Sequence, residues 1–304
     1  MDCRIQDYFR VGTLLWMSYP KNDAVESLKK ILCDPYFDAV ELSHFASASQ
    51  REEAAGLLKA SAVTAGYGMH PVMLENSLNP NALDEEERAA CQKRMLEEVD
   101  EAAALGCSGV AFLAGKFDAD QIPEHQEQLV KTTLAVCRHA EKKGMSVELE
   151  IFDYDFDKAV LIGPAGRAAK FAARIREQCQ NFGLLADLSH FPLTYESSSD
   201  VFAACAPYLT HFHIGNAVTE PECEGCGDTH PRFGFPHGAN GLEELADFLT
   251  ILKDCCQARR LTRPILSFEI RPRPYEDPDV VLASSKRFLN RAWALVKPQK
   301  GERL

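Results

Sequence analysis

Eight short runs rich in β-branched and aromatic residues recur along the 304-residue chain, each followed by a longer stretch with helical spacing. That alternation is the pattern of repeated βα units around a parallel sheet. The runs span 11–19, 39–45, 61–67, 108–114, 146–152, 183–188, 209–215 and 264–270. Helical stretches follow from spacing: Val281, Ser285, Phe288, Ala292 and Leu295 form one amphipathic stripe, and Leu242, Leu245, Leu249 and Leu252 form another. Starts are marked by Asn22 ahead of 24–31, Asp84 ahead of 85–104 and Gly163-Pro164 ahead of 165–178. No Ser- or Pro-rich linker divides the chain, and no Gly-x-Gly-x-x-Gly follows the first run. Eight units in this length fit one closed (β/α)8 barrel, spanning 1–304 as a single domain, better than an open doubly wound sheet.

Composition narrows the function classes. With 46% hydrophobic and 26% charged residues the chain has enough apolar material for a large core. Lys+Arg 33 against Asp+Glu 45 leaves a formal charge of -12, which repels a phosphate backbone and argues against nucleic acid as a partner. The start, Met1-Asp2-Cys3-Arg4-Ile5-Gln6-Asp7, lacks the basic and apolar regions of a signal peptide, and no apolar stretch reaches the roughly 18 residues of a membrane span. A cytoplasmic location without membrane contact is expected. Eleven scattered cysteines read as reduced thiols used in the core. Cys223-Glu224-Gly225-Cys226 has the gap of a zinc knuckle or redox pair, but no second pair accompanies it, and the spacing is read as coincidence.

In a (β/α)8 barrel the reacting groups sit at the carboxyl ends of the strands, so polar residues there carry the information. In the fifth run Val147, Leu149 and Ile151 share one face while Glu148 and Glu150 share the other, which sends two carboxylates toward the barrel axis. Burying them is expensive unless they meet a cation, a partner or a substrate. The sixth run ends Asp187-Leu188-Ser189-His190; the seventh holds His211-Phe212-His213; the eighth reads Ser267-Phe268-Glu269-Ile270-Arg271. Glu150, Asp187, His213 and Glu269 thus stand at the ends of four consecutive runs. Three carboxylates and one imidazole suit one divalent cation, with Mn2+ expected and Mg2+, Co2+ or Zn2+ as alternatives. Glu148 and His211, one layer deeper, are expected to orient these ligands.

These residues resemble the xylose-isomerase-like barrels, a superfamily that includes sugar isomerases, ketose 3-epimerases, inosose dehydratases and a metal-dependent endonuclease branch. The resemblance spans nearly the whole chain and rests on Leu149-Glu150, Asp187-Leu-Ser-His190, His211-Phe-His213-Ile and Ser267-Phe-Glu269. Tyr19-Pro20, the stretch 227–234 and the ending Phe268-Glu-Ile-Arg-Pro272 look closer to a subgroup labelled sugar phosphate isomerase/epimerase. The likeness implies one cation held by Glu150, Asp187, His213 and Glu269, with His190 touching the substrate. It also implies a homo-oligomer or a small partner subunit, since such barrels often associate. The extra His and Asp ligands of a three-metal endonuclease are too few.

A divalent ion beside two carboxylates suits enolisation, with Glu150 and Glu269 as catalytic acid and base on opposite faces of a small carbohydrate. Proton return to the other face gives an epimer, return to the neighbouring carbon an isomer. Loss of a β-substituent would make the enzyme a lyase, such as a C-glycoside deglycosidase large subunit or an inosose dehydratase. A catalytically silent sugar-binding subunit is the alternative of another class, and the intact ligand set speaks against it. The segment 216–240, about 25 residues, has the length of a functional lid and holds Asp228, His230, Arg232 and His237. Arg232 and Arg271 are candidates for gripping a phosphate or hydroxyls. His70, Lys116 and Glu41 are further candidates for binding substrate or supplying a proton, with a helix contact as the alternative for Glu41. Phe152, Phe191 and Phe212 are candidates for an apolar wall against a sugar face.

Overall fold

A computed structural model describes residues 4–296. Eight parallel strands alternate with helices: β1 Arg10–Thr13, β2 Ala39–Leu42, β3 Thr64–Gly68, β4 Gly109–Phe112, β5 Ser146–Glu150, β6 Phe182–Asp187, β7 Leu209–Ile214 and β8 Ile265–Phe268. From β2 to β8 each strand pairs with its neighbours in chain order, and β1 pairs with β8. The last seam, between β1 and β2, is joined by a Leu14–Glu41 bridge and by the Asp38 amide donating to the Val11 carbonyl at 2.9 Å. The result is the nearly closed (β/α)8 barrel that the alternation predicts.

Period two decides what lies on each side of the sheet. Val40, Leu42, Val110, Phe112, Val147, Leu149, Phe212 and Phe268 are buried among the helices. The inner face is far more polar: Glu41, Glu148, Glu150, Asp187, His211, His213 and Ser267 are all buried there. Small residues on the opposing strands make room for them. A Cβ on Gly12 would stand 2.8 Å from Ser267 Oγ and 2.9 Å from Ala39 Cβ, so the barrel cannot accept even alanine there without shifting.

The pairing of β6 with β7 slips between Leu184 and Leu185, skipping Thr210. This bulge brings His211 level with Leu185 and His213 level with Asp187. It is the local device that puts the seventh strand's imidazoles in phase with the sixth strand's carboxylate.

Several element bounds differ from those the sequence predicts. The first run stops being a strand at Thr13, because 15–18 turns into the short helix Leu15–Ser18. Asp23, not Asn22, caps the following helix, its carboxylate accepting from the amides of Val25 and Glu26. Ser61 ends a helix instead of opening the third strand, and Leu188 begins a 3-10 turn. Leu295 lies past the last helix, Pro278–Trp293, and is exposed. The described cysteines are free thiols, most of them buried. Among the described residues no helix is long and apolar enough to cross a membrane.

Candidate active site

Glu150 and Asp187 end their strands, His213 is the penultimate residue of β7, and Glu269 follows β8 with its amide donating to the Ile214 carbonyl at 3.0 Å. Each offers one donor atom to a group in which all four atoms lie within 4.8 Å of one another, and all four residues are buried. The convergence expected from four successive strand ends is therefore present. His213 is held on both sides: Nδ1 lies 2.6 Å from Glu269 Oε2, and Nε2 lies 3.1 Å from Glu41 Oε1. Asp187 accepts from the Ser189 amide at 2.9 Å and from the Ser189 hydroxyl.

A second layer of ionisable groups surrounds these four. His190 donates through Nδ1 to the Ile151 carbonyl at 3.0 Å and through Nε2 to Asp228 at 3.1 Å. His230 Nε2 stands 2.6 Å from the same Asp228 oxygen, and its Nδ1 is 3.2 Å from Ser189 Oγ. Asp187, His190 and His230 form a further group with donor atoms in mutual reach. His190, His230 and Asp228 are thus gathered at one edge of the site. His70 Nε2 is 2.8 Å from Glu150 Oε2, and Phe152 packs its ring 4.1 Å from that of His190 and 6.2 Å from that of His70.

So many buried charges perturb one another strongly. Burial alone would raise the Glu269 carboxyl, yet His230 and His213 beside it hold it down at about 2. Burial pushes Asp187 above its ordinary value, and the nearby Glu269 charge adds to this. Burial would lower His213, but Glu41 and Glu269 raise it well above the usual imidazole range. His190 is raised in the same way by Asp187 and Asp228. His230 reaches about 9 against its own burial, through Glu269 and Asp228. Asp228 stays ionised: His230 and His190 outweigh its burial and hold it well below the carboxylate range.

The donor set fits a divalent cation. Glu150 Oε1 and His70 Nε2 are buried and make no hydrogen bond, the His70–Glu150 approach being within ion-pair range but without hydrogen-bond geometry. Leaving a buried polar atom unpaired costs about 1–3 kcal/mol, and a cation would satisfy the carboxylate oxygen. Three carboxylates and one imidazole match hard or borderline metals, and no thiol intrudes.

The remaining expected site residues fall in different places. Glu41 is on the inner face of β2, below the four, and bridges His211 at 2.9 Å and His213; its contact is with these imidazoles and not with a helix. His211, expected with Glu148 to orient the ligands, reaches His213 through the carboxylate of Glu41 that both imidazoles share. Burial would raise Glu41, but His211 and His213 keep it well below the carboxylate range. Lys116 donates to the Lys158 carbonyl. Arg232 donates to Glu276 at 2.7 Å and to the Gly234 carbonyl at 3.0 Å, so its guanidinium braces the loop. Arg271 is exposed, and its amide donates to the His230 carbonyl at 2.7 Å. His237 pairs with Glu220 at 2.9 Å, away from the four. Of the three aromatic candidates only Phe152 meets the site; Phe191 and Phe212 pack among Phe202 and Phe248 in the helical layer.

Two residues that contribute here were not singled out by sequence reading. Lys158 lies 3.2 Å from Asp228 and 3.0 Å from Asp157, in a loop whose amides converge on the buried Asp153. The charged run 153–158 immediately after β5 was the available signal. Trp16 lies against Gly68 at the end of β3, and its position was obscured by assigning 11–19 to one strand. At Gly215 a Cβ would stand 2.6 Å from the Glu269 carbonyl oxygen and 3.3 Å from His230 Nδ1, so the close approach of β7, β8 and the loop depends on glycine. A cavity at the opposite end of the barrel, lined by Arg10, Glu148, Arg176, Thr210 and His211, faces away from these groups. The carboxyl-end cluster is where the chemistry of this fold is built.

A family model described as xylose isomerase-like TIM barrel matches residues 36–277. No curated protein matches the sequence. Among solved structures, a D-tagatose 3-epimerase-like protein is 18% identical, with 93% of this chain and 98% of that one covered at a TM-score of 0.70. An IOLI protein with a bound zinc atom is 14% identical, with 96% and 100% covered at 0.73. The 3-keto-D-glucoside 4-epimerase YcjR from E. coli is 17% identical, with 94% and 99% covered at 0.66. At these identities the likeness carries the fold.

Proposed function

This chain belongs to the xylose isomerase-like TIM barrel family, and on that premise we propose that it is a metal-dependent isomerase or epimerase of a small carbohydrate or polyol. The observation that supports the reading is the buried group of Glu150, Asp187, His213 and Glu269, with donor atoms within 4.8 Å of one another. In this reading these four residues hold one divalent cation, Mn2+ by the hardness of the donors, with Zn2+ the alternative because the similar IOLI protein carries zinc. The cation, when bound, polarises a substrate carbonyl and its neighbouring hydroxyl.

The chain's own groups move the proton. One of Glu150 and Glu269 removes it from the carbon beside the carbonyl, and the other returns it from the opposite face. Glu269, held near 2 by its histidines, is ionised at neutral pH and enters the reaction as a carboxylate. His190 has both ring nitrogens engaged, by the Ile151 carbonyl and by Asp228, so in this reading a substrate meets it by taking the place of Asp228, and His70 with Phe152 closes the far side. Several solved relatives in fold are described as sugar 3-epimerases or as a keto-glucoside epimerase, and a ketose or keto-glycoside is the substrate class that fits.

The reading is tested by incubating the Mn2+-loaded protein with a panel of ketoses and keto-glycosides in deuterium oxide. Deuterium should enter at the carbon next to the carbonyl, and Glu150→Gln and Glu269→Gln should each slow this by about 10²–10⁴-fold. Near-normal exchange in either variant contradicts the two-carboxylate scheme. Release of an unsaturated product or an aglycone would assign the same site to a lyase.

A further inference from the structure

The long connection between β7 and the helix Leu242–Arg259 carries a second group of donors, outside the barrel. Cys223 Sγ lies 3.2 Å from Glu220 Oε2, and His237 Nδ1 lies 2.9 Å from the same oxygen. Donor atoms of all three residues are within 4.8 Å of one another. We propose that Glu220, Cys223 and His237 form a separate site for a thiophilic divalent cation such as Zn2+, which clips this connection shut.

The donor chemistry separates it from the barrel cluster. A thiolate, an imidazole and a carboxylate together form a set that zinc takes readily, with water completing the tetrahedron. Cys226 lies outside the three-residue group, so the proposal rests on the contact between Cys223 and His237's neighbour Glu220 and not on the Cys-x-x-Cys spacing.

The backbone brings the donors together before any ion arrives. Val218 bridges Cys226 on one side and Gly238 on the other, which sets the Glu220–Cys223 turn beside His237. The Cys226 amide donates to the Cys223 carbonyl at 3.2 Å, and Gly225 and Gly227 take the left-handed conformations, φ +84° and +93°, that the turn requires. The cysteine is partly exposed and the histidine and glutamate largely so, leaving an entry path for the ion. Between Cys223 and His237 the chain passes through Asp228 and His230, the two loop residues that reach the barrel cluster. Fixing both ends of that span would restrain the segment that delivers them.

The test is a Co2+ titration of the full, reduced protein, read by absorption. The barrel donors contain no sulfur, so a thiolate-to-cobalt charge-transfer band that depends on Cys223 reports on the loop and fails independently of the proposed activity. The band should appear in the wild type, bleach when Zn2+ is added, and vanish in Cys223→Ser. His237→Ala should weaken Zn2+ binding at the loop by at least about tenfold. Absence of the band in the wild type, or an undiminished band in Cys223→Ser, overturns the proposal.

Discussion

Glu41 shows how much a single inner-face residue carries. Its carboxylate stands between His211 and His213, nearly without solvent exposure, and is the acceptor both imidazoles share. Glu41→Ala should cost about 3–5 kcal/mol in denaturant unfolding, because it leaves the buried His211 without its close carboxylate and His213 with Glu269 alone. Lys116→Ala, which removes only a bond to a loop carbonyl at the surface, should stay within about 0.5 kcal/mol. Equal losses in the two variants would contradict this view of Glu41. Period two alone was enough to place Glu148 with Glu150 and His211 with His213 on the inner face. It could not show that Asp228 and His230 return to His190, since the path of a long connection leaves no periodic trace. Nor could it tell the loop-bracing role of Arg232 from a grip on substrate, because both use the same guanidinium.

At the scale of elements, strands were legible by composition and helices by spacing, whereas their ends depended on local bonds. The bulge between β6 and β7 is a case in point: nothing in Leu209-Thr210-His211 marks the skipped residue, yet it sets the level of both histidines. The first turn of the helix Pro278–Trp293 offers a measurable junction. Asp279 accepts from the Tyr19 hydroxyl at 2.6 Å and from Lys30 at 2.8 Å, tying that helix to the β1–β2 connection. Its carboxyl is lowered from the ordinary 3.8, first by Lys30 and then by Tyr19. A depressed carboxyl contributes stability that is present above its unfolded value and is lost as the pH falls through the folded one. Asp279→Asn should therefore lose stability at neutral pH, by less than about 1 kcal/mol because the pair is exposed. The difference from wild type should shrink as the pH drops below 3.8. A difference that persists undiminished in acid would contradict the ionic origin.

The whole molecule is a barrel whose apolar side is its outer face and whose polar interior is crowded with charge. Such an interior is stable only if cations balance the carboxylates, and imidazolium groups with raised pKa values do part of this. A bound divalent ion would do more, and ligand binding to the folded state alone raises stability by mass action. Chelation should accordingly lower the Tm of the protein as isolated, and Mn2+ should restore it; an unchanged Tm would contradict a resident ion. The most direct measurement is the Mn2+ content of the protein after chelation, reloading and extended dialysis, wild type beside Glu269→Gln. About one equivalent retained by the wild type and clearly less by the folded variant is the predicted result. Equal content in both, or none in a folded wild type, would contradict the site and leave the cluster as a hydrogen-bonded core.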